Sequence, residues 1–191
     1  MRRLVDAERL RAFMRALGRE TNVETTCYLT GGATAILMGW RESTIDVDVL
    51  FAPENDQLLR TIPKLKESLE LNVKLAFPGD FVPMPAGWED RSLFVERVGT
   101  VTFRSTDPYA QALAKLERGH ERDLADVEAM ISLKLVDREQ LRAFFTEIEP
   151  ELYRFPAIDP GSFRAAVDAA TGGTGPRGGT GPAPTGLAEP A

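Results

Sequence analysis

A mixed α/β sheet domain followed by a helical subdomain is the architecture the sequence predicts, and three observations carry it. Strand-like apolar runs alternate with helical patterns over residues 1–105, and only helical patterns follow over 106–170. A Gly31-Gly32 break between a strand and a helix precedes a second strand that carries Asp46-Val47-Asp48. The expected units are an α/β domain over 1–105, a helical subdomain over 106–170 that completes the site, and a disordered tail over 171–191.

Leu4, Leu10, Phe13, Met14 and Leu17 recur at helical spacing with arginines between them, which predicts an amphipathic helix from Leu4 to Leu17. Cys27 to Thr30 reads as a short apolar strand, Ala33 to Trp40 as a helix, and Arg41 to Thr44 as a polar turn. Ile45 to Phe51 is a second strand, with Ile45, Val47, Val49 and Phe51 on one face and Asp46, Asp48 and Leu50 on the other. Asp56 to Leu69 is helical, with Pro63 expected in a first helical turn, where proline is tolerated. Asn72 to Phe77 is a third strand, Pro78 to Glu89 a loop, and Leu93 to Val98 with Thr100 to Arg104 a hairpin across Gly99.

Asp107-Pro108 supplies an N-cap and a first-turn proline for a helix ending at Arg118. Gly119 interrupts it, and a helix resumes from Glu121 to Lys134. Asp137 and Gln140 form a capping-box pattern for another helix, and Asp159-Pro160 opens a last one to Ala170. From Thr171 onward Gly, Pro, Thr and Ala dominate, a composition that buries too little apolar surface to offset the entropy of ordering.

The chain has 191 residues, 43% hydrophobic and 27% charged, the composition of an ordinary globular protein with a sizeable core. A formal net charge of −6 disfavours nucleic acid as a default partner, although a local basic patch would suffice for one. The lone Cys27 has no internal disulfide partner and reads as core, and the single His120 reads as a surface or capping residue. Trp40 and Trp88 read as packing residues, with residues 83–88 a candidate lid. Without a signal-like apolar run after Met1-Arg2-Arg3 or a membrane-length apolar stretch, the expected setting is the cytoplasm, with no membrane partner.

The chemistry centres on Asp46 and Asp48, which project from the same strand face. Two carboxylates that close repel unless a cation lies between them, and Mg²⁺ takes one or two carboxylates together with substrate phosphates. The plain alternative is a solvated polar face at a sheet end. Gly31 and Gly32 let a ligand approach the backbone at a helix N-terminus, or form an ordinary tight turn. Ser43 and Thr44 stand ready to bond phosphate oxygens, or satisfy their own turn. Lys115, Arg118 and Arg122 share a face if the helix continues past Gly119; otherwise the segment reads as a solvated helix with an Arg122–Asp126 pair.

The stretch Leu29-Thr30-Gly31-Gly32-Ala33 through Arg41-Glu42-Ser43-Thr44-Ile45-Asp46-Val47-Asp48 resembles the signature of the DNA polymerase beta-type nucleotidyltransferase superfamily. The closer resemblance is to small bacterial nucleotidyltransferase-like proteins that are similar to abortive-infection type toxins of toxin–antitoxin systems. A second block, Ala114-Lys115 through Arg122-Asp123-Leu124-Ala125-Asp126, resembles the helical Lys, then Arg-Asp-x-x-Asp, segment of those toxins. The resemblance spans residues 29–130.

It implies a nucleotidyltransferase-fold mixed sheet with flanking helices, Mg²⁺ or Mn²⁺ on Asp46 and Asp48, and a nucleoside triphosphate as substrate. It also implies that Lys115 contacts the phosphates and that Asp123 or Asp126 completes the site. The implied acceptor is a tRNA end, a protein side chain or a small molecule, and the implied partner a cognate antitoxin. The superfamily adds a third carboxylate on a following strand. Here that strand carries Lys74, and Asp80 just beyond it either takes the role or caps the Pro78-Gly79 turn. The rival readings are a non-catalytic nucleotide-binding module and an antitoxin-like or structural partner that uses the N-terminal helix.

Overall fold

The computed structural model describes residues 4–173. The tail expected over 171–191 lies outside the described residues from 174 onward. Five strands form one mixed sheet: β1 (Thr25–Thr30), β2 (Asp46–Ala52), β3 (Asn72–Leu75), β4 (Leu93–Val98) and β5 (Val101–Ser105), in the order β3-β2-β1-β5-β4. β1 runs antiparallel to β2 and parallel to β5, β2 parallel to β3, and β4 antiparallel to β5. The helices are α1 (Ala7–Leu17), α2 (Gly32–Leu37), α3 (Asp56–Ser68), a single turn α4 (Trp88–Arg91), α5 (Pro108–Arg118), α6 (Glu121–Ser132), α7 (Arg138–Ile148) and α8 (Pro160–Thr171). This is the α+β sheet with flanking and trailing helices that the sequence predicts. No helix among the described residues is long and apolar enough to cross a membrane.

Period-2 alternation decides which face of β2 is inside. Val47, Val49 and Phe51 are buried against α1, α2 and α3, while Asp46, Asp48 and Leu50 lie on the half-open opposite face. Ile45 departs from the expected pattern. It precedes the strand, next to the Thr44–Val5 bridge that anchors the N-terminal segment, and is 60% exposed.

Capping sets the helix boundaries. Asp6 accepts the Arg9 N–H, so α1 starts after it and Leu4 is left exposed rather than on the buried face. Asn55 accepts the Leu58 N–H and starts α3 seven residues before Pro63, which therefore lies inside the helix on its solvent side and not in a first turn. Asp107, Asp137 and Asp159 cap α5, α7 and α8 as their sequence patterns predict. Gly119, at φ 65°, ends α5, and α6 starts afresh after His120. α2 stops at Leu37, three residues short of Trp40, and α8 runs one residue beyond Ala170.

The apolar interior falls into two clusters. One joins the buried face of the sheet to α1, α2 and α3, and includes Cys27. The other joins α5, α6, α7 and α8 and includes Val82 from the segment before α4. The second cluster fixes α5 in place, which matters because α5 forms one wall of the cleft described below. Leu29, fully buried on the central strand β1, tests the sheet core. Leu29→Ala is expected to lower stability by about 3–4 kcal/mol, read as a shifted urea midpoint at constant slope.

Candidate active site

The exposed carboxylate-bearing end of β2, the β1–α2 turn, the start of the segment after β3, and α5 with the start of α6 enclose a cleft of about 430 Å³. Asp46, Asp48, Gly31, Gly32, Thr44, Lys115, Arg118, Arg122 and Asp123 all line it. Residues 31 to 123 thus converge on one cavity, and Lys115 faces the same space as the aspartate pair.

The β1–α2 turn needs both of its glycines. Gly31 adopts φ 60°, ψ −122°, a conformation that L side chains rarely hold, and a Cβ there would lie 3.1 Å from Asp48 Oδ2. A Cβ on Gly32 would come within 2.6 Å of Thr44 Cβ. Thr44 is buried and bonded through its backbone to Val5, so it packs the turn and fixes the approach to β2. The turn is also tied to α5, because the Gly31 N–H donates to Gln111 Oε1 at 2.8 Å. Gln111 Nε2 in turn donates to Thr34 Oγ1 and to the Thr106 carbonyl. Gln111 escaped the sequence reading. Its only signal is a long polar side chain in an Ala- and Leu-rich helix, four residues before Lys115.

The far wall is a buried charge network. Lys115 Nζ donates to Asp126 Oδ2 at 2.5 Å and to Asp123 Oδ1 at 3.2 Å, with all three side chains under 10% exposed. Arg41 grips both oxygens of Asp126, Trp40 Nε1 donates to it at 3.0 Å, and Arg118 pairs with Asp123 at 2.6 Å. Burial pushes the Asp123 carboxyl up, but the bond from Arg118 and the charges of Lys115 and Arg118 outweigh it and hold it below its ordinary value. Asp123 and Asp126 therefore position Lys115 and Arg41. Asp126 lies behind the cleft lining, so it acts on the cavity only through those cations.

Because Gly119 breaks the helix, Arg122 does not extend the α5 face of Lys115 and Arg118. It enters the cleft from α6, exposed and without an ion pair among the described residues, and Asp126 takes Arg41 and Lys115 in place of the i,i+4 partner Arg122. Ser43 does not line the cleft, and neither does Asp80, whose carboxylate accepts the Phe77 N–H at 2.8 Å and caps the 77–80 turn. Residues 83–88 do not line it either. They pack toward α7, where Ala86 N–H meets Glu147, while Trp88 packs at a tilt against Tyr28 and Phe77 at centroid distances of 4.9 and 4.8 Å.

The two acids of the D-x-D pair differ in their partners. Asp46 receives Lys74 Nζ at 2.5 Å and a bond from Asn72 Nδ2. Both come from β3, whose parallel register sets Asn72 opposite Asp46 and Lys74 opposite Asp48. Burial pushes the Asp46 carboxyl up, and the Lys74 and Asn72 bonds overcome it and hold it below its ordinary value. Among the described residues no group donates a hydrogen bond to the Asp48 carboxylate, which is raised by burial and then by the neighbouring Asp46 charge.

Two carboxylates on one strand face suit the protein share of a Mg²⁺ or Mn²⁺ shell, the rest being water and phosphate oxygens. The unbonded oxygens of Asp48 are free to join such a shell. Among the described residues no cluster of three or more Asp, Glu, His or Cys side chains stands ready to hold a metal unaided. Apart from Asp46 and Asp48, strands β1, β2, β3 and β5 carry no acid. The residues thus fit an ion shared with a phosphate ligand, not one caged by protein alone.

The profile of a family described as "Nucleotidyltransferase of unknown function (DUF6036)" matches residues 7–157. The chain belongs to this nucleotidyltransferase family, and the matched span holds the sheet, the cleft and both of its walls. No curated protein and no solved structure matches the chain.

Two stability measurements test this electrostatic arrangement. Lys115→Met removes the cation shared by two buried carboxylates while Arg41 and Arg118 remain, and is expected to cost about 2–4 kcal/mol in chemical denaturation. Asp48→Asn is expected to act in the opposite direction. A carboxyl raised in the folded state costs stability once ionised, so at neutral pH without divalent ions the variant gains stability. That gain shrinks as pH falls through the raised value and vanishes below the ordinary value of 3.8, where the native carboxyl is neutral in both states. Thermal unfolding across pH 3–8 reads both the sign and the window.

Proposed function

We propose that this protein is a metal-dependent nucleotidyltransferase of the DNA polymerase beta type, moving a nucleoside monophosphate from a triphosphate to a hydroxyl group. The observation that carries this reading is the shared cleft, in which Asp46 and Asp48 face Lys115, Arg118 and Arg122 across the Gly31-Gly32 turn. A triphosphate needs cations on one side and a carboxylate-held divalent ion on the other, and the cleft supplies the protein part of both.

In this reading Asp46 and Asp48 hold Mg²⁺ or Mn²⁺, which when bound neutralises phosphate charge and polarises the phosphoryl group under attack. The backbone of Gly32 and the ammonium of Lys115 face the phosphate oxygens, while the Gly31 N–H stays with Gln111 and Arg118 and Arg122 reach in from the two helix ends. Lys115 enters this role already oriented by Asp123 and Asp126, so little ordering entropy is lost as phosphate arrives. The acceptor hydroxyl releases its proton to water, and its oxygen bonds to the α-phosphorus as the bond to pyrophosphate breaks. The sequence resemblance supports a toxin-like role with a tRNA end, protein side chain or small molecule as acceptor and an antitoxin as partner, and the lone cysteine suits a cytoplasmic setting.

A second reading draws on a specific observation. Lys74 sits where the superfamily carries an acid and pairs with Asp46, and Asp80 is committed to its turn. A protein so built binds a metal nucleotide without transferring it.

Incubation of the full chain with each α-labelled triphosphate, Mg²⁺ and RNA or lysate acceptors separates the two. Transfer is expected in the wild type and is expected to fall at least about 100-fold in Asp48→Asn. Calorimetric binding of Mg²⁺-triphosphate with no Asp48-dependent labelling by any nucleotide would select the binding module instead.

A further inference from the structure

Two lysines line the cleft, and they are built differently. Lys115 is 5% exposed and held by two buried carboxylates, so it has nowhere to go. Lys74 is 53% exposed and holds a single partner, Asp46, which is itself 24% exposed. β3 is an edge strand of the sheet, and its register with β2 places Lys74 beside Asp48 and two pairs along from Asp46, on the same face. A flexible ammonium at that register can pass from Asp46 to an incoming anion in the same cleft by rotation of its own side chain, with no movement of the backbone.

The charge balance says when it will do so. With Lys74 on Asp46, one of the two acids is already neutralised, and a divalent ion arriving alone meets an ammonium at the carboxylate it needs. A divalent ion arriving with a triphosphate brings phosphate oxygens that give Lys74 another partner and free Asp46 Oδ2, while Asn72 keeps its bond to Oδ1. The donor set agrees, because among the described residues no cluster of three or more metal-ligating side chains holds a metal unaided.

Building on the nucleotidyltransferase reading, we infer that Lys74 is an exchangeable counter-ion that keeps the site from retaining a divalent ion until a nucleotide arrives, and then moves from Asp46 to the nucleotide's phosphates. Lys74 thus makes metal and nucleotide binding cooperative. Free metal is excluded, and the metal–nucleotide complex is the species admitted.

Mn²⁺ binding to the full-length protein, followed by electron paramagnetic resonance with and without a non-hydrolysable triphosphate analogue, tests this. In the wild type the analogue should tighten Mn²⁺ at least roughly tenfold, within the usual range of coupling between sites. In Lys74→Met, Mn²⁺ alone should bind about tenfold tighter than in the wild type, the analogue several-fold weaker, and the coupling should fall to within about threefold. Lys74→Arg, which keeps the charge, should retain strong coupling. Loss of fold cannot produce opposite changes in the two affinities, so a structural role for Lys74 would not mimic this result. If Lys74→Met leaves metal-only affinity unchanged while Asp48→Asn abolishes metal–analogue binding, the counter-ion role is wrong and the nucleotidyltransferase reading stands. If neither wild type nor Lys74→Met binds Mn²⁺ under any condition, both fall together.

Discussion

The ammonium of Lys115 is the point on which the cleft depends. Buried between Asp123 and Asp126, it ties α5 to α6, and Asp126 extends the tie through Arg41 and Trp40 to the segment between α2 and β2. Buried charges are tolerated only when each finds partners, so these side chains have few alternative arrangements. Gln111, one turn earlier on the same helix, adds a second tie by accepting the Gly31 N–H. Together they hold the helical wall at a set distance from the sheet, and the cavity between them is what a ligand would enter.

Against that rigid wall stands a softer one. Asp46 and Asp48 sit on a well-packed strand, but their charges are met unequally, by a bond from the half-exposed Lys74 on one and only by the more distant charges of Lys74, Arg118 and Lys115 on the other. An ionised carboxylate without a partner is a cost in the unliganded protein and an opportunity for a cation. The fold thus spends stability at the edge of β2, where a ligand can return it. Membership of a nucleotidyltransferase family agrees with such an arrangement, and the presence of Lys74 instead of an acid on β3 is what separates transfer from binding as the question for experiment.

Much of the fold was legible because its signals are local. Capping residues Asp107, Asp137 and Asp159 act within three residues of themselves, and the alternation along Val47, Val49 and Phe51 follows from the pleat alone. The local expectations that failed were decided by neighbours. Asn55 captured the start of α3 and carried Pro63 into its interior, and Asp6 excluded Leu4 from α1. Asp80 had two roles open to it, and the Phe77 N–H three residues away took its carboxylate.

By itself, the sequence determined the order of elements, the same-face projection of Asp46 and Asp48, and the flexible backbone at Gly31 and Gly32, since each follows from residue type and period. Only the tertiary structure decided partners. That Arg41 and not Arg122 meets Asp126, that Gln111 holds the glycine turn, and that β3 sets Lys74 against the aspartate pair all depend on strand register and helix docking. Residues 31 to 123 reach one cavity only because one apolar cluster sets the sheet wall, the other sets α5, and polar ties such as Gly31–Gln111 join the two, and that packing sums many weak contacts distant in sequence.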